Sequence, residues 1–105
     1  MSFKLYIAGP MSGLPEFNYP AFHEAAQRLR AVGYEIENPA ENSGEPDWIA
    51  YMRVSLRQVS RVDGIAVLRG WELSRGANLE VHIAHALHLP VLPVDAWIST
   101  SASAA

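Results

Sequence analysis

The sequence contains no cysteine, and that absence excludes several classes of protein. A disulfide framework, a thiolate metal cluster and a thiol nucleophile all need cysteine side chains. The chain therefore fits a reducing compartment, and its core must form without covalent cross-links. With 105 residues, of which 50% are hydrophobic and 18% charged, it has the size and composition of one folded domain rather than of a disordered segment.

Long apolar runs and an excess of positive charge are also missing. Residues 1–8 carry one lysine and an apolar run far too short for a signal peptide or a membrane span. Eight Lys and Arg residues against eleven Asp and Glu residues give a net charge of -3, which disfavours a nucleic-acid binder that must contact many phosphates. We therefore expect a cytoplasmic protein that binds a small molecule, with neither nucleic acid nor membrane as a partner.

Apolar runs and helical periodicities alternate along the chain. The pattern predicts strands over about 5–8, 34–38, 64–68 and 90–94, and helices over about 20–32, after Asp47 and over about 74–87. This alternation indicates an α/β fold with right-handed crossovers. We expect a single three-layer, Rossmann-like (flavodoxin-like) domain over residues 1–98, with a small, mostly parallel sheet of four to five strands. Residues 99–105 are small and polar, and we expect them to form a disordered tail.

Glu80 is the most informative residue because its neighbours on the predicted helix are apolar. The side chains at helical spacing from it include Ala77, Ile83, Ala84 and Leu87, which puts the carboxylate on a partly desolvated face. Glu80 also lies within about two turns of the helix start, where free backbone amides favour negative charge. Two interpretations stay open here: a functional carboxylate, or a structural acid paired with an arginine or a tyrosine hydroxyl.

Two further patterns carry less information. His82, His85 and His88 are spaced by three residues, which leaves the first and last about 120° apart around a helix, so they are interpreted as surface or interface histidines. The loop 9–13 (GPMSG) follows a strand as a phosphate loop would, yet it lacks the Lys-Ser/Thr ending and the GxGxxG spacing. We expect no metal site and no cofactor.

Three segments together resemble a known family: 6–13 (YIAGPMSG), 38–41 (NPAE) and 70–80 (GWELSRGANLE). The sequence is similar to the small phage and bacterial DUF4406 family, in the nucleoside 2-deoxyribosyltransferase-like group that is related to 2'-deoxynucleoside 5'-phosphate N-hydrolases. The resemblance covers about residues 4–94, and 74–80 is its most specific part. It implies cleavage or transfer at the N-glycosidic bond of a 2'-deoxynucleoside or its 5'-monophosphate, with another base or water as acceptor.

The resemblance also implies roles for individual residues. The glutamate that matches Glu80 is the nucleophile that attacks the anomeric carbon and forms a covalent glycosyl-enzyme, and the hydroxyl that matches Tyr6 orients it. Such a carboxylate acts as in retaining glycoside hydrolysis. The implied substrate contacts are Gly9, Pro10, Met11, Ser12, Gly13, Gly70, Trp71, Ser74, Gly76 and Ala77. Ser74 and Arg75, beside a helix start, would suit a 5'-phosphate.

One position departs from the family pattern. Family members commonly carry an aspartate before a leucine on the second helix, where related enzymes use it to position the substrate or transfer a proton to the base. The matching residue here is Ser55, which precedes Leu56. A serine cannot act as a carboxylic acid or base, so this change speaks against efficient catalysis. Asp63 matches a different family aspartate and is interpreted as structural.

Three functions are compatible with these observations. The first is a nucleoside deoxyribosyltransferase or deoxynucleotide N-glycosidase, and the second is a non-catalytic nucleotide-binding protein that has lost full activity through Ser55. The third is a scaffold in which Trp48, Trp71 and Trp97 anchor an interface. Three tryptophans, four tyrosines and three phenylalanines exceed what so small a domain readily covers. We therefore expect a homodimer or higher homo-oligomer, as the resemblance also implies.

Overall fold

A sheet of four parallel strands forms the centre of the computed structural model, which describes residues 3–104. The strands are β1 (Lys4–Ala8), β2 (Glu35–Glu37), β3 (Gly64–Val67) and β4 (Val91–Pro93), in the order β2-β1-β3-β4. In the same range, four α-helices connect or follow them: α1 (Tyr19–Ala31), α2 (Trp48–Val59), α3 (Arg75–Ala86) and α4 (Val94–Ala104). The predicted three-layer α/β fold with a small parallel sheet is confirmed.

The helices cover both faces of the sheet and form two apolar cores. Leu5 and Ile7 of β1 pack in the core with α1 and α4, whereas Tyr6 and Ala8 pack in the core with α2 and α3. Successive side chains of a strand point to opposite faces, so this division follows from the strand geometry. It directs Tyr6 toward α3, the helix that carries Glu80.

Two helices begin where the sequence predicts, and each begins at a capping residue. The Asp47 Oδ1 atom accepts a hydrogen bond of 2.8 Å from the backbone N–H of Ala50 at the start of α2. The Ser74 Oγ atom accepts one of 3.2 Å from the backbone N–H of Ala77 at the start of α3. Each bond satisfies a backbone donor that the helix itself leaves unpaired, which is the reason these residue types begin helices.

The C-terminal segment differs from the expected tail. Residues 99–104 continue α4 as a helix, and residues 1–2 and 105 lie outside the described part of the chain. The Thr100 hydroxyl donates to the Ala96 carbonyl oxygen at 2.9 Å, and the Ser101 hydroxyl donates to the Val32 carbonyl oxygen at 3.0 Å. These bonds tie the small polar residues to their own helix and to the end of α1. Within residues 3–104, none of the helices has the length and apolar character that a membrane crossing requires.

The strand order creates a crevice at one edge of the sheet. The chain passes from β1 to β2 on one side and then crosses to β3 on the other side of β1. In open parallel sheets, ligands bind at such a reversal, outside the carboxyl ends of the two strands. At the opposite end, the Asp63 Oδ2 atom accepts from the Lys4 N–H at 2.8 Å and joins the starts of β1 and β3, in keeping with a structural role for Asp63.

We expect Gly64→Ala to destabilise the fold by about 1–3 kcal/mol, because added atoms in a filled core force neighbouring groups apart. A Cβ atom on Gly64 would lie 2.9 Å from Cζ2 of Trp97 and 3.2 Å from Cδ2 of Leu5. Trp97 cannot easily move aside, since its Nε1–H donates to the Ile65 carbonyl oxygen at 2.8 Å. Urea unfolding measures the change. The cost should shrink in a Trp97→Leu background, and an equal cost in both backgrounds would show that Trp97 is not the obstacle.

Candidate active site

A cavity of about 580 Å³ lies at the crevice between β1 and β3. The loop that follows β1 forms one wall through residues Gly9–Ser12, and α2 forms another through Trp48, Tyr51 and Met52. The start of α3 closes it from the side with Ser74, Arg75, Gly76 and Ala77. Tyr6 and Glu80 line the inner end. The position is the one that the topology of a parallel sheet predicts for a ligand site.

Glu80 and Tyr6 form a buried pair at this inner end. Glu80 is 5% exposed and Tyr6 is 0% exposed. The Tyr6 hydroxyl donates a hydrogen bond of 2.5 Å to the Oε2 atom of Glu80. Of the partners that the sequence left open for Glu80, the tyrosine hydroxyl is therefore the one found. None of the ion pairs among the described residues involves Glu80. The carboxylate is thus held by a neutral donor.

Burial dominates the electrostatics of the pair. It raises the pKa of Glu80 to about 7, against the lowering effect of hydrogen bonds from Tyr6 and Ser55. The pKa of Tyr6 lies well above its ordinary value, first because the phenol is buried and then because Glu80 is close. The phenol consequently stays protonated and donates, while the carboxyl group titrates near neutral pH. Carboxyl groups with such raised pKa values are common at catalytic sites.

Glycine at position 9 lets the loop after β1 approach the sheet closely. A Cβ atom there would lie 2.7 Å from Cβ of Leu68, a distance that side chains do not tolerate. The Asn18 side chain, just before α1, donates to the Pro10 carbonyl oxygen at 3.0 Å. Asn18 itself has a left-handed φ of 61° and makes no side-chain cap on the helix. These contacts hold the loop as one wall of the cavity.

Aromatic side chains form much of the remaining wall, and sequence reasoning did not find them. They are Phe17, Tyr19, Phe22, Trp48 and Tyr51. The Tyr51 hydroxyl lies 3.0 Å from the Pro39 carbonyl oxygen and 3.2 Å from the Met11 sulfur, so it links α2 to two loops of the site. The Arg75 guanidinium carbon lies 4.1 Å from the centroid of the Trp48 ring, which is a cation–π contact.

Most of the predicted site residues line this cavity, but three do not. Gly70 and Trp71 line a second cavity of about 610 Å³, formed with residues of α1 and the start of α4, and Gly13 lines neither. Gly70 has a left-handed φ of 86°, which turns the chain into a short 3-10 helix over Trp71–Leu73. After that turn, Leu73 lines the first cavity while Trp71 lines the second.

The model of the family described as "Domain of unknown function (DUF4406)" matches residues 3–93. The chain belongs to the DUF4406 family. No curated protein matches the sequence of this DUF4406 domain. The matched residues include every strand and the first three helices, so the cavity lies within the part that the family shares.

The three histidines of α3 and its end do not contribute to the site of the DUF4406 domain. His82, His85 and His88 are exposed, and none of them lines either cavity described above. Among residues 3–104, no group of three or more His, Asp and Glu side chains is arranged to hold a metal ion.

Ser55 lies behind the Tyr6–Glu80 pair and is 0% exposed. Its hydroxyl donates to the Met52 carbonyl oxygen at 3.1 Å, and its hydrogen bonding also lowers the pKa of both Glu80 and Tyr6. A hydroxyl has one proton, so it can donate to only one of these acceptors at a time. The residue at the position that departs from the family pattern is thus in the environment of the candidate nucleophile.

We expect Glu80→Gln to stabilise the DUF4406 domain at pH 8 by about 3 kcal/mol, the value of a pKa difference between about 7 and 4.5. The folded chain binds the Glu80 proton more tightly than the unfolded chain does. The parent therefore loses stability as pH rises from about 4.5 to 7 and is constant above that range. The glutamine variant lacks this loss, so the two proteins should be equally stable near pH 4.

Urea unfolding between pH 4 and 8 measures this difference. Glu45→Gln is the matched control, because Glu45 is an exposed loop residue and its replacement should change stability little at any pH. A Glu80→Gln protein whose advantage over the parent did not grow between pH 5 and 8 would contradict the raised pKa of Glu80.

Proposed function

We propose that the protein breaks the N-glycosidic bond of a 2'-deoxynucleoside or its 5'-monophosphate. The sugar is then transferred to water or to a second base. The observation that carries the proposal is the carboxylate of Glu80, which is buried at the inner end of an open cavity and held by the Tyr6 hydroxyl at 2.5 Å. A buried carboxylate without a cationic partner destabilises a fold, so its presence beside a cavity argues for a role in chemistry.

The proposed reaction has two steps on the same carbon. One oxygen of Glu80 attacks C1' of the sugar while the C1'–N bond breaks and its electron pair leaves with the base. Water or a second base then attacks C1', and the Glu80 carboxylate is released. The proton that the attacking group loses balances the proton that the departed base takes up from solvent. Because the Tyr6 hydroxyl donates to Oε2, it orients the group and leaves Oε1 for the attack. A carboxylate at this place also stabilises the positive charge that develops on the sugar.

The walls of the cavity support a nucleoside as the substrate class. The aromatic rings, including those of Tyr19, Trp48 and Tyr51, offer flat apolar surfaces on which a base can stack. Gly76 and Ala77 leave space for a sugar beside the start of α3. Ser74 and Arg75 at that helix start would suit a 5'-phosphate, which is the basis for including the monophosphates.

Ser55 favours a second candidate function, a nucleotide-binding protein without full activity. The site has a serine where the family pattern has an aspartate, and a serine cannot transfer a proton to a departing base. Incubation with deoxynucleosides and their monophosphates distinguishes the two functions. Free base indicates catalysis, whereas a ligand-dependent rise in melting temperature without free base indicates binding alone.

We expect Glu80→Ala to lower base release by about 10³-fold or more, because the step that forms the glycosyl-enzyme loses its nucleophile. Chromatographic detection of the free base measures the rate, and circular dichroism checks that the variant is folded. Glu45→Ala removes an exposed glutamate outside the cavity and should keep the parent rate. A folded Glu80→Ala protein with the turnover of the parent would refute the nucleophile assignment.

A fluorinated substrate tests the covalent intermediate directly. A fluorine at C2' withdraws electrons from C1' and slows both steps, so a 2'-fluoroarabino nucleoside with a good leaving group should accumulate the ester on Glu80. Intact-protein mass spectrometry detects the added sugar, and peptide mapping locates it. The Glu80→Gln protein provides the matched control and should carry no adduct.

We also propose that the protein is a homo-oligomer through the layer formed by α2 and α3. Ile49 at the start of α2 is 61% exposed, Leu87 after α3 is 50% exposed, and Leu73 beside the cavity mouth is 92% exposed. Apolar side chains so exposed on one layer are typical of an interface between subunits. A second copy that covers Leu73 would also narrow the entrance to the cavity.

Light scattering after gel filtration tests this arrangement. The parent should have at least twice the monomer mass of 11.6 kDa, and the double variant Ile49→Ser/Leu87→Ser should shift toward the monomer. Val32→Ser is the matched control, because Val32 is 38% exposed at the end of α1 on the other face of the sheet. A parent mass near 11.6 kDa would contradict the oligomer.

A further inference from the structure

We infer that the preferred substrates are N-glycosides whose base is already cationic and therefore leaves as a neutral molecule without receiving a proton. N-alkylated purines and pyridinium-type bases belong to this class. The inference rests on the proposed function, and it names the substrate class of the same cavity. Two observations carry it: the chemistry of the side chains that face the cavity, and the character of its walls.

A neutral purine or pyrimidine is a poor leaving group because the electron pair of the broken C1'–N bond makes it an anion. Enzymes that release such bases commonly supply a proton from a positioned acid, which contributes about 10²- to 10⁴-fold to the rate. A base that carries a positive charge in the substrate needs no such help. When its bond to C1' breaks, the electron pair neutralises the charge, and no proton moves in that step.

Within residues 3–104, the carboxyl groups that line the cavity are Glu80 and Asp47. Glu80 is assigned to the attack on C1', and it cannot at the same time donate a proton to the base. Asp47 is exposed, and its Oδ1 atom accepts the backbone N–H of Ala50 at the start of α2. It acts there as a hydrogen-bond acceptor. Neither group is therefore arranged as the acid for a departing base.

The tyrosine hydroxyls near the cavity are not arranged to protonate a departing base either. The Tyr6 proton is directed to Glu80 at 2.5 Å, and burial together with that carboxylate raises the pKa of Tyr6 well above its ordinary value. The Tyr51 hydroxyl lies 3.0 Å from the Pro39 carbonyl oxygen, and burial followed by the charge of Glu80 raises its pKa. Phenols in general are far weaker acids than carboxyl groups.

The walls are suited to a cationic ring. Aromatic faces attract cations, and the side chain of Trp48 already has the Arg75 guanidinium 4.1 Å from its ring centroid. Among the described residues that line the cavity, the acidic groups are Glu80 and Asp47 and the basic group is Arg75. Arg75 is itself exposed at the mouth, away from the buried end where Glu80 would meet C1'.

Proton balance is satisfied in both steps. In the first, Glu80 bonds to C1' and the cationic base departs as a neutral molecule. In the second, water attacks C1', the Glu80 carboxylate leaves, and the water proton passes to solvent. The carboxylate is then free for the next substrate, and no oxidant, reductant or further reactant is consumed.

Two substrates with the same sugar test the inference: 7-methyl-2'-deoxyguanosine, whose base is cationic, and 2'-deoxyguanosine. For each, the rate with the protein is divided by the uncatalysed rate at the same pH. Without an acid in the site, the acceleration for the methylated substrate should equal or exceed that for the unmethylated one. A larger acceleration for 2'-deoxyguanosine would mean that an acid is supplied, and it would overturn the inference.

Variants at Ser55 provide a second test of whether the site lacks an acid. Ser55→Asp places a carboxyl group beside Glu80, and two carboxyl groups so close share a proton, which makes one of them an acid at neutral pH. We expect kcat/KM for 2'-deoxyguanosine, relative to the methylated substrate, to rise by about 10²-fold in this variant. Ser55→Asn has the same size without the acid and should leave the ratio near that of the parent.

The outcomes separate this inference from the proposed function on which it rests. If 2'-deoxyguanosine is cleaved with the larger acceleration, the N-glycosidase activity stands and only the substrate class is wrong. If neither substrate releases base and the fluorinated nucleoside leaves no adduct on Glu80, the proposed function fails and the inference fails with it. The comparison of the two substrates needs only the parent protein, so it holds even where Ser55→Asp does not fold.

Discussion

The hydrogen bond between Tyr6 and Glu80 is the contact on which the rest of the site depends. It joins the central strand β1 to helix α3 across the core, and it is the means by which the fold accommodates a carboxylate that is 5% exposed. Without the Tyr6 donor, the buried group would lose its direct hydrogen bond, and burial of an under-satisfied carboxylate is costly in a small core. The donor is neutral, so it orients the carboxylate without removing its negative charge by pairing.

This arrangement lowers the stability of the fold and, in the proposed function, supplies a reactive group. Burial raises the pKa of Glu80 to about 7, so at neutral pH the fold holds a group that is partly ionised in a desolvated place. A core of this size has few alternatives, since the short strand β1 must supply side chains to both helical layers. The cavity beside Glu80 brings this negative charge into partial contact with solvent. In the proposed function, the same charge stabilises the positive charge that develops on the sugar.

The loop between β3 and α3 contributes residues to two different cavities, although the motif over residues 70–80 predicted a single site. Gly70, Trp71 and Ser74 are close in the sequence, yet after the left-handed turn at Gly70 Trp71 lines the second cavity and Ser74 lines the candidate active site. Spacing along the chain cannot show this, because the direction of the turn depends on the contacts around the loop. The aromatic wall was missed for a related reason: Phe17 and Tyr19 come from the segment before and at the start of α1, whereas Trp48 comes from α2.

Local patterns in the sequence determined the α/β class, the parallel sheet, the starts of α2 and α3, and Glu80 as the residue of greatest interest. Those features depend on periodicity, capping chemistry and burial of neighbours within one helix, all of which act over a few residues. Only the tertiary structure decided that Tyr6 is the partner of Glu80 and that Ser55 lies behind the pair. It also decided that residues 99–104 join α4. These features depend on contacts between segments far apart in the chain, and such contacts form only when the sheet order and the register of β1 are established.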